Sequence, residues 1–353
     1  MAWRMPHEGA PHDRTWMAFP NVGQTTGEDA AEQERYFEAW SAVANAIIDF
    51  EPVTMLVDPE QASRARALLS SEIEILEAPV DEFWFRDHGP TFVVDDERPG
   101  VLGAVDWTFN GWGDRGWSDF AKSAEHARLV SGIVGSELVS SLLVNEGGGI
   151  HVDGEGTILL TETVQLDKRR NPYADKARVE AELARTLGIT KAIWLPRGLT
   201  RDYDDFGTNG HVDIVAAFGR PGTVMLHKQN NPEHPDFEVS RDLRAILAGQ
   251  TDAMGRELEI IDLPAPATIR DDEGFVDYSY VNHLVVNGGI IACGFGDEQG
   301  DAQAREILEA AYPGNRRAVT VDARQIFAGG GGIHCITQQQ PSLTTAQTDE
   351  SGA

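Results

Sequence analysis

Apolar residues recur at three- and four-residue intervals over residues 33–48, where Tyr36, Phe37, Trp40, Val43, Ala44, Ile47 and Ile48 line one side of a helix. The same spacing, in shorter stretches, predicts helices at about 60–69, 118–131, 174–187, 239–249 and 299–311. Between them lie short β-rich pieces: VTMLV, EIEIL, TFVV, GVLGAVDW, TILLTET, KAIWL, HVDIVAAF, TVMLH, LEIIDL, NHLVV, GIIACGF and AVTVD. Glycine-rich or polar turns such as VDGEGT, FGRPGT and VNGG separate paired strands.

These pieces form a repeat. The last five helices begin near 60, 118, 174, 239 and 299, a unit of roughly 60 residues, and self-similar units of that length signal a propeller or other repeat architecture. Each unit carries one polar element at a corresponding place: Asp87, Glu146, His211, the Tyr278–His283 stretch and Cys335. The expected fold is therefore α/β, a five-bladed pseudosymmetric α/β propeller that gathers those elements in a central cleft. The alternative is a doubly wound sheet with helices on both faces. No linker or charge block divides the chain, so one catalytic domain is expected over residues 1–341, with 342–353 as a disordered tail.

Composition narrows the partners. Against 29 Lys and Arg stand 57 Asp and Glu, a net charge of −28. That balance disfavours nucleic acid, whose phosphates need basic groups; it favours cationic ligands, and it also serves solubility. No run of roughly 18 apolar residues predicts a membrane span. The N-terminal stretch lacks the basic-then-apolar order of a secretory signal. Two cysteines cannot build a disulfide framework, so reduced thiols and a cytoplasmic location are expected. A homo-oligomer is left open.

The chemistry centres on Cys335 in GGGGIHCITQQQP, where four glycines let the backbone approach a ligand. A thiolate is the reactive form, so the site must lower the thiol pKa or let a bound cation do so. Cys293, in IIACGFG, reads as a small buried hydrophobe. A nucleophilic Cys335 needs an imidazole. His334 is its neighbour, but adjacent side chains on a strand face opposite ways. In GHVDIVAAF, His211 and Asp213 stand two apart and, on a strand, share one face. A second His-x-Asp pair is His151 and Asp153. Asp87 lies in WFRDHGP two residues after Trp84, so carboxylate and aromatic face could flank a planar cation. Glu146 precedes three glycines. The rival reading makes the His-x-Asp pairs ligands of Mn or Zn. It leaves Cys335 without a role, and no HExxH or clustered Cys/His spacing supports it. No metal or other cofactor is expected.

With these residues in view, the chain resembles the agmatine deiminase family, which includes bacterial peptidyl-arginine deiminases. The resemblance rests on MPHEGAPHDRTWMAFP, FWFRDHGPTFVV, NEGGGIHVDGEGTILLTE with RNP, GTNGHVD, SYVNHLVVNGGII and GGGGIHCITQQQP, in family order from residue 5 to 341. It implies the pentein fold, the five-fold propeller of guanidino-group-modifying enzymes, and hydrolysis of the guanidine of a small cationic substrate. By motif, Cys335 matches the nucleophile and His211 the acid/base. Asp213 and Asp87 match the carboxylates that grip the guanidinium, Glu146 the glutamate of the EGG strand, and Trp84 the aromatic beside the reacting group.

Two departures bear on the substrate's far end. Many agmatine deiminases carry an acid three places before the GH, where this chain has Gly207, and commonly read Ala-Ser-Tyr-x-Asn-Phe where this chain has Tyr278-Ser279-Tyr280-Val281-Asn282-His283. Either Asp202, Asp204 and Asp205 supply the missing acid, with Tyr280 beside them, and the substrate is agmatine, or the substrate is another guanidine such as a peptidyl arginine or a guanidino acid. A carboxylate-bearing substrate would instead call on Arg197, Arg201 or Arg270. A partner-binding propeller without catalysis is the reading from another class, and it has no use for the thiol, imidazole and carboxylates together.

Overall fold

A single plan recurs through the computed structural model, which describes residues 2–23 and 25–343. One strand turns back antiparallel on the next, a helix follows, and a third strand returns parallel to the second. Thr91–Asp95, Leu102–Thr108 and Glu137–Val144 form one such sheet, with Trp3–Arg4 added at its edge. Ile150–Val152, Thr157–Thr161 and Lys191–Leu195 form the next, and Ala216–Arg220, Thr223–Lys228 and Glu259–Pro264 the third. Leu284–Val286, Gly289–Gly294 and Arg317–Asp322 form the fourth. The fifth joins distant parts of the chain: Thr337–Pro341 pairs antiparallel with His12–Ala18, which pairs parallel with Val53–Val57, followed by Glu74–Glu77.

Local sequence accounts for the plan. Asp29, Asp175 and Asp297 cap the helices Ala30–Ile47, Lys176–Leu187 and Glu298–Ala311, each accepting a backbone N–H of the first turn. Pro221-Gly222 links the third sheet's hairpin, with Gly222 at φ 78°, the residue order a type II turn demands. Inner strands are covered on both faces, so every residue of Val53–Val57 and Thr157–Thr161 is buried, whereas the outer parallel strands Glu74–Glu77 and Arg317–Asp322 are partly exposed. The helix over 33–48 buries Tyr36, Phe37, Trp40, Val43, Ala44 and Ile47, as the periodicity requires.

Several expectations are corrected. The helix expected over 118–131 begins only at His126. The Asp81 carboxylate accepts the backbone N–H groups of Lys122 and Ser123 at 2.7 and 2.9 Å and holds this stretch in turns. HVDIVAAF is not one strand. Val212–Ile214 is a 3₁₀ turn and the strand starts at Ala216, so His211 and Asp213 do not share a strand face. Strands at His12–Ala18, Glu137–Val144 and Thr337–Pro341 had no counterpart in the pattern. Of the expected tail, residues 344–353 lie outside the described residues.

Candidate active site

Cys335 sits in the turn just before the strand Thr337–Pro341, not on a strand. Its backbone carbonyl accepts the Arg86 N–H at 3.0 Å, and the His334 carbonyl accepts Arg86 Nε at 3.2 Å, which docks the Trp84–Gly89 segment against it. From the bend just before the fourth sheet, Asn282 Nδ2 donates to Cys335 Sγ at 3.3 Å while Asn282 Oδ1 accepts from His334 N at 3.0 Å. Gly331 lets the chain pass between thiol and indole: a Cβ there would lie 2.9 Å from both Cys335 Sγ and the Trp84 ring. Trp84 is thus beside the thiol, as its motif implied.

Asp87, His211 and Asp213 converge around Gly148. A Cβ on this glycine would lie 2.5 Å from His211 Nδ1, 2.9 Å from Asp87 Oδ1 and 3.0 Å from Asp213 Oδ2. Gly148 N–H and Trp112 Nε1 hold the Asp87 carboxylate at 3.0 and 2.9 Å. Asp213 Oδ2 accepts from the Cys335 thiol at 3.4 Å and lies 2.8 Å from His334 Nδ1, whose Nε2 is 2.9 Å from Glu8. Two atoms in this buried cluster, His211 Nδ1 and Asp213 Oδ1, have no hydrogen-bond partner. Buried polar atoms are almost always paired, so both atoms are left with unused hydrogen-bonding capacity.

The electrostatics follow from burial. Desolvation pushes the Asp87 carboxyl up to about 6, partly countered by His211. Burial lowers the pKa of His211, but the carboxylates of Asp87 and Glu146 outweigh it and bring the imidazole to about 9. Burial, then Asp213 and Asp87, hold the Cys335 thiol well above its ordinary value. Burial also opposes ionisation of Asp213, yet the His334 hydrogen bond keeps its carboxyl low. At neutral pH the empty cleft thus holds a protonated imidazole beside a neutral thiol, and a cation entering between the carboxylates would favour thiolate.

The remaining expected residues divide. Glu146 stands behind His211, 3.3 Å from Nε2, and accepts Arg170 Nε at 2.9 Å, so it orients the imidazole and does not face a ligand. Asp202 borders a cavity, but its oxygens are taken by Thr208, Gly210 and His211 backbone N–H groups at 2.7–3.0 Å and by the Thr208 hydroxyl at 2.6 Å. It shapes the loop that presents His211. Asp204 and Asp205 are exposed at the rim of the same cavity. Tyr280 is elsewhere: its hydroxyl donates to Asp301 and its ring packs on Phe295. His283 also turns away, 2.8 Å from the Tyr312 hydroxyl. Arg201 is bound to Asp271 and Glu273, Arg197 lies over Tyr203 and Arg270 over Phe275, so none is a free clamp for a substrate carboxylate.

His151 and Asp153 do not act together. His151 Nδ1 accepts Phe218 N–H, and Asp153 accepts the N–H groups of Glu155 and Thr157. Glu8, His151 and His334 are close enough to share a cation. However, Arg86 already approaches Glu8 at 3.4 Å, and its positive charge opposes a metal there. Cys293 is buried in its strand, its thiol pushed up to about 12 by burial. Four residues of the site were not singled out from the sequence: Asn282, Trp112, Arg170 and Glu8. Asn282 and Arg170 stand in the quoted SYVNHL and RNP motifs, and an amide just before an apolar strand was the available signal.

Comparison with known proteins agrees with this geometry. The family described as Porphyromonas-type peptidyl-arginine deiminase matches residues 4–341. A Streptomyces coelicolor protein provisionally designated an agmatine deiminase is 54% identical over 342 residues, 97% of this chain and 99% of its own. The agmatine deiminase of Stutzerimonas stutzeri is 40% identical over 361 aligned residues, covering 96% and 95% of the two chains. Among solved structures, the agmatine deiminase of Enterococcus faecalis superposes with a TM-score of 0.89 at 33% identity, covering 97% of each chain. With the thiol, imidazole and paired carboxylates at the motif positions, the chain belongs to the Porphyromonas-type peptidyl-arginine deiminase family.

Proposed function

We propose that this protein is an agmatine deiminase, hydrolysing agmatine to N-carbamoylputrescine and ammonia with Cys335 as nucleophile. One observation carries the reading: His211 Nδ1, Asp87 Oδ1 and Asp213 Oδ2 converge closely at Gly148, and Asp213 Oδ2 also accepts from the Cys335 thiol. A guanidinium is planar, cationic and resonance-stabilised, so water attacks its carbon slowly. Asp87 and Asp213 supply carboxylates that fix its plane and hold its charge. As the cation enters, the thiol releases its proton to solvent, so the net charge of the cleft is unchanged.

The thiolate then adds to the guanidinium carbon. His211, already protonated, gives its proton to the departing nitrogen, and ammonia leaves a covalent amidino-thioether. The neutral imidazole next takes a proton from water, whose oxygen adds to the same carbon. The carbon–sulfur bond breaks, releasing the carbamoyl product and the thiolate. One imidazole acting as acid and then base is worth roughly 10²–10⁴-fold. Glu146 with Arg170 orients His211, and Asn282 steadies the sulfur. The engaged state of Arg197, Arg201 and Arg270 favours an amine at the substrate's far end over a carboxylate.

The five sheets of one plan are read as the blades of a pseudosymmetric propeller with the site at its axis, and the location as cytoplasmic. Among the described residues, no helix is long and apolar enough to cross a membrane. An ammonia-release screen over agmatine, arginine, arginine peptides and guanidino acids tests the reading. Agmatine should give the highest kcat/KM. Urea as product, or no release from any guanidine, would overturn it.

A further inference from the structure

A cavity of about 310 Å³ opens between the loop holding Asp202 to Gly207 and the segment at Phe327 to Gly330. Gly330 borders it, and the next residue, Gly331, lies against the Cys335 sulfur, so the cavity adjoins the reacting thiol. Its charged lining is acidic apart from Arg201, which is bound to Asp271 and Glu273. An acidic lining alone identifies no ligand. What singles out this one is Asp277, whose residue is only 8% exposed. Among the described residues no other residue is within hydrogen-bonding or ion-pair distance of its carboxylate; its own backbone N–H bonds it, and the Arg201 charge acts on it from farther off. The other acids here are spoken for or solvated: Asp202 by its loop, Asp204 and Asp205 by water at the rim.

We infer that Asp277 receives the distal ammonium of the substrate and sets the preference for an amine-bearing guanidine, an assignment that rests on the deiminase reading above. Ionising a buried carboxylate that no other residue bonds directly is costly, and a cationic ligand reduces that cost. Burial, with Asp202 adding to it, pushes the carboxyl up to about 7, so the group is poised to ionise when a cation arrives. The loop explains why the acid comes from this segment. At Gly207, where an acid was expected, a Cβ would lie 2.0 Å from the Asp202 carbonyl oxygen, so the loop as folded admits no side chain there. Asp277 immediately precedes the Tyr278–His283 stretch and reaches the cavity from another segment of the chain.

The test compares Asp277→Asn with the unmodified protein on agmatine and on butylguanidine, which lacks the distal amine. The kcat/KM for agmatine should fall by about 10- to 100-fold while that for butylguanidine stays within about twofold. The variant should melt no lower than the parent, because a buried carboxylate that no other residue bonds directly stabilises nothing. Equal losses on both substrates, or an unchanged preference for agmatine, would overturn the assignment and leave the deiminase reading standing. Should the unmodified protein release ammonia from neither compound, the deiminase reading falls. Calorimetric affinities of both compounds for Cys335→Ala, with and without Asp277→Asn, then decide: loss of agmatine preference on Asp277→Asn supports the assignment, and equal affinities or an unaltered preference overturn it.

Discussion

Replacing Gly148 with alanine would place one methyl group where the guanidinium is read to bind. Gly148 is not among the glycines with positive φ, so alanine meets no backbone penalty. Its Cβ would lie 2.5 Å from His211 Nδ1, 2.9 Å from Asp87 Oδ1 and 3.0 Å from Asp213 Oδ2, so those groups must give way. The overpacking should cost ~1–3 kcal/mol of stability. Displacing the substrate from both carboxylates removes two charge-assisted contacts of ~1.5–3 kcal/mol each, ~3–6 kcal/mol in all, or roughly 10²–10⁴-fold in kcat/KM. Gly149→Ala is the control. Its Cβ meets Val164 Cγ1 at 3.2 Å and Gln165 Nε2 at 3.3 Å, a milder squeeze away from Asp87 and Asp213. Ammonia release under steady state, beside urea denaturation of both variants, separates the two effects. A folded Gly148→Ala protein within tenfold of normal kcat/KM would falsify the placement of the substrate between Asp87 and Asp213.

Further outcomes are expected at the same site. Cys335→Ala should fold and bind agmatine but lose turnover, and a haloacetamidine should label Cys335 and inactivate the protein; activity that persists in Cys335→Ala rules out the covalent route. Dialysis against EDTA should leave the rate unchanged, whereas loss and recovery with Mn²⁺ would restore the metal alternative. His211 has a folded pKa of about 9 against an ordinary 6.5. Its stabilisation is present in full below pH 6.5 and lost as pH rises through 9, so the stability gap between the parent and His211→Gln should narrow by about 3 kcal/mol over that window; a pH-independent gap contradicts it. Trp112→Phe removes a donor that favours ionised Asp87, so the acid limb of kcat/KM should move to higher pH, and an unmoved limb would show that Asp87 does not set it.

Periodicity was a good guide wherever one face of an element is apolar and the other wet. It found the helices Ala30–Ile47, Lys176–Leu187 and Glu298–Ala311 and most of the apolar strands within a few residues. It failed where polar side chains take over the backbone's bonding. Thr337–Pro341 reads TQQQP yet is buried throughout, with Gln340 accepting the Trp16 indole N–H at 2.9 Å. Asp81 does the same for residues 122 and 123 by capping backbone groups a helix would have used. The thiol, imidazole and two carboxylates could be singled out because their motifs carry chemistry that no simpler structural role needs together, and the fold brings Cys335, His211, Asp87 and Asp213 into one buried cluster. The supporting residues were not, since nothing in their own neighbourhood shows that Glu8 reaches His334 or that Asn282 reaches Cys335.

The pairing of Thr337–Pro341 with His12–Ala18 has a consequence for synthesis on the ribosome. His12–Ala18 is made more than 300 residues before Thr337–Pro341 and must wait for it before its sheet is finished. Until then the backbone edge of His12–Ala18 is open, the kind of edge that recruits chaperones or neighbouring nascent chains. A chain halted before Gly329 already contains His211, Asp87 and Asp213 but lacks the sulfur that Asp213 holds. On the proposed reading, chemical competence waits for Cys335, which is made only just before the strand that completes that sheet.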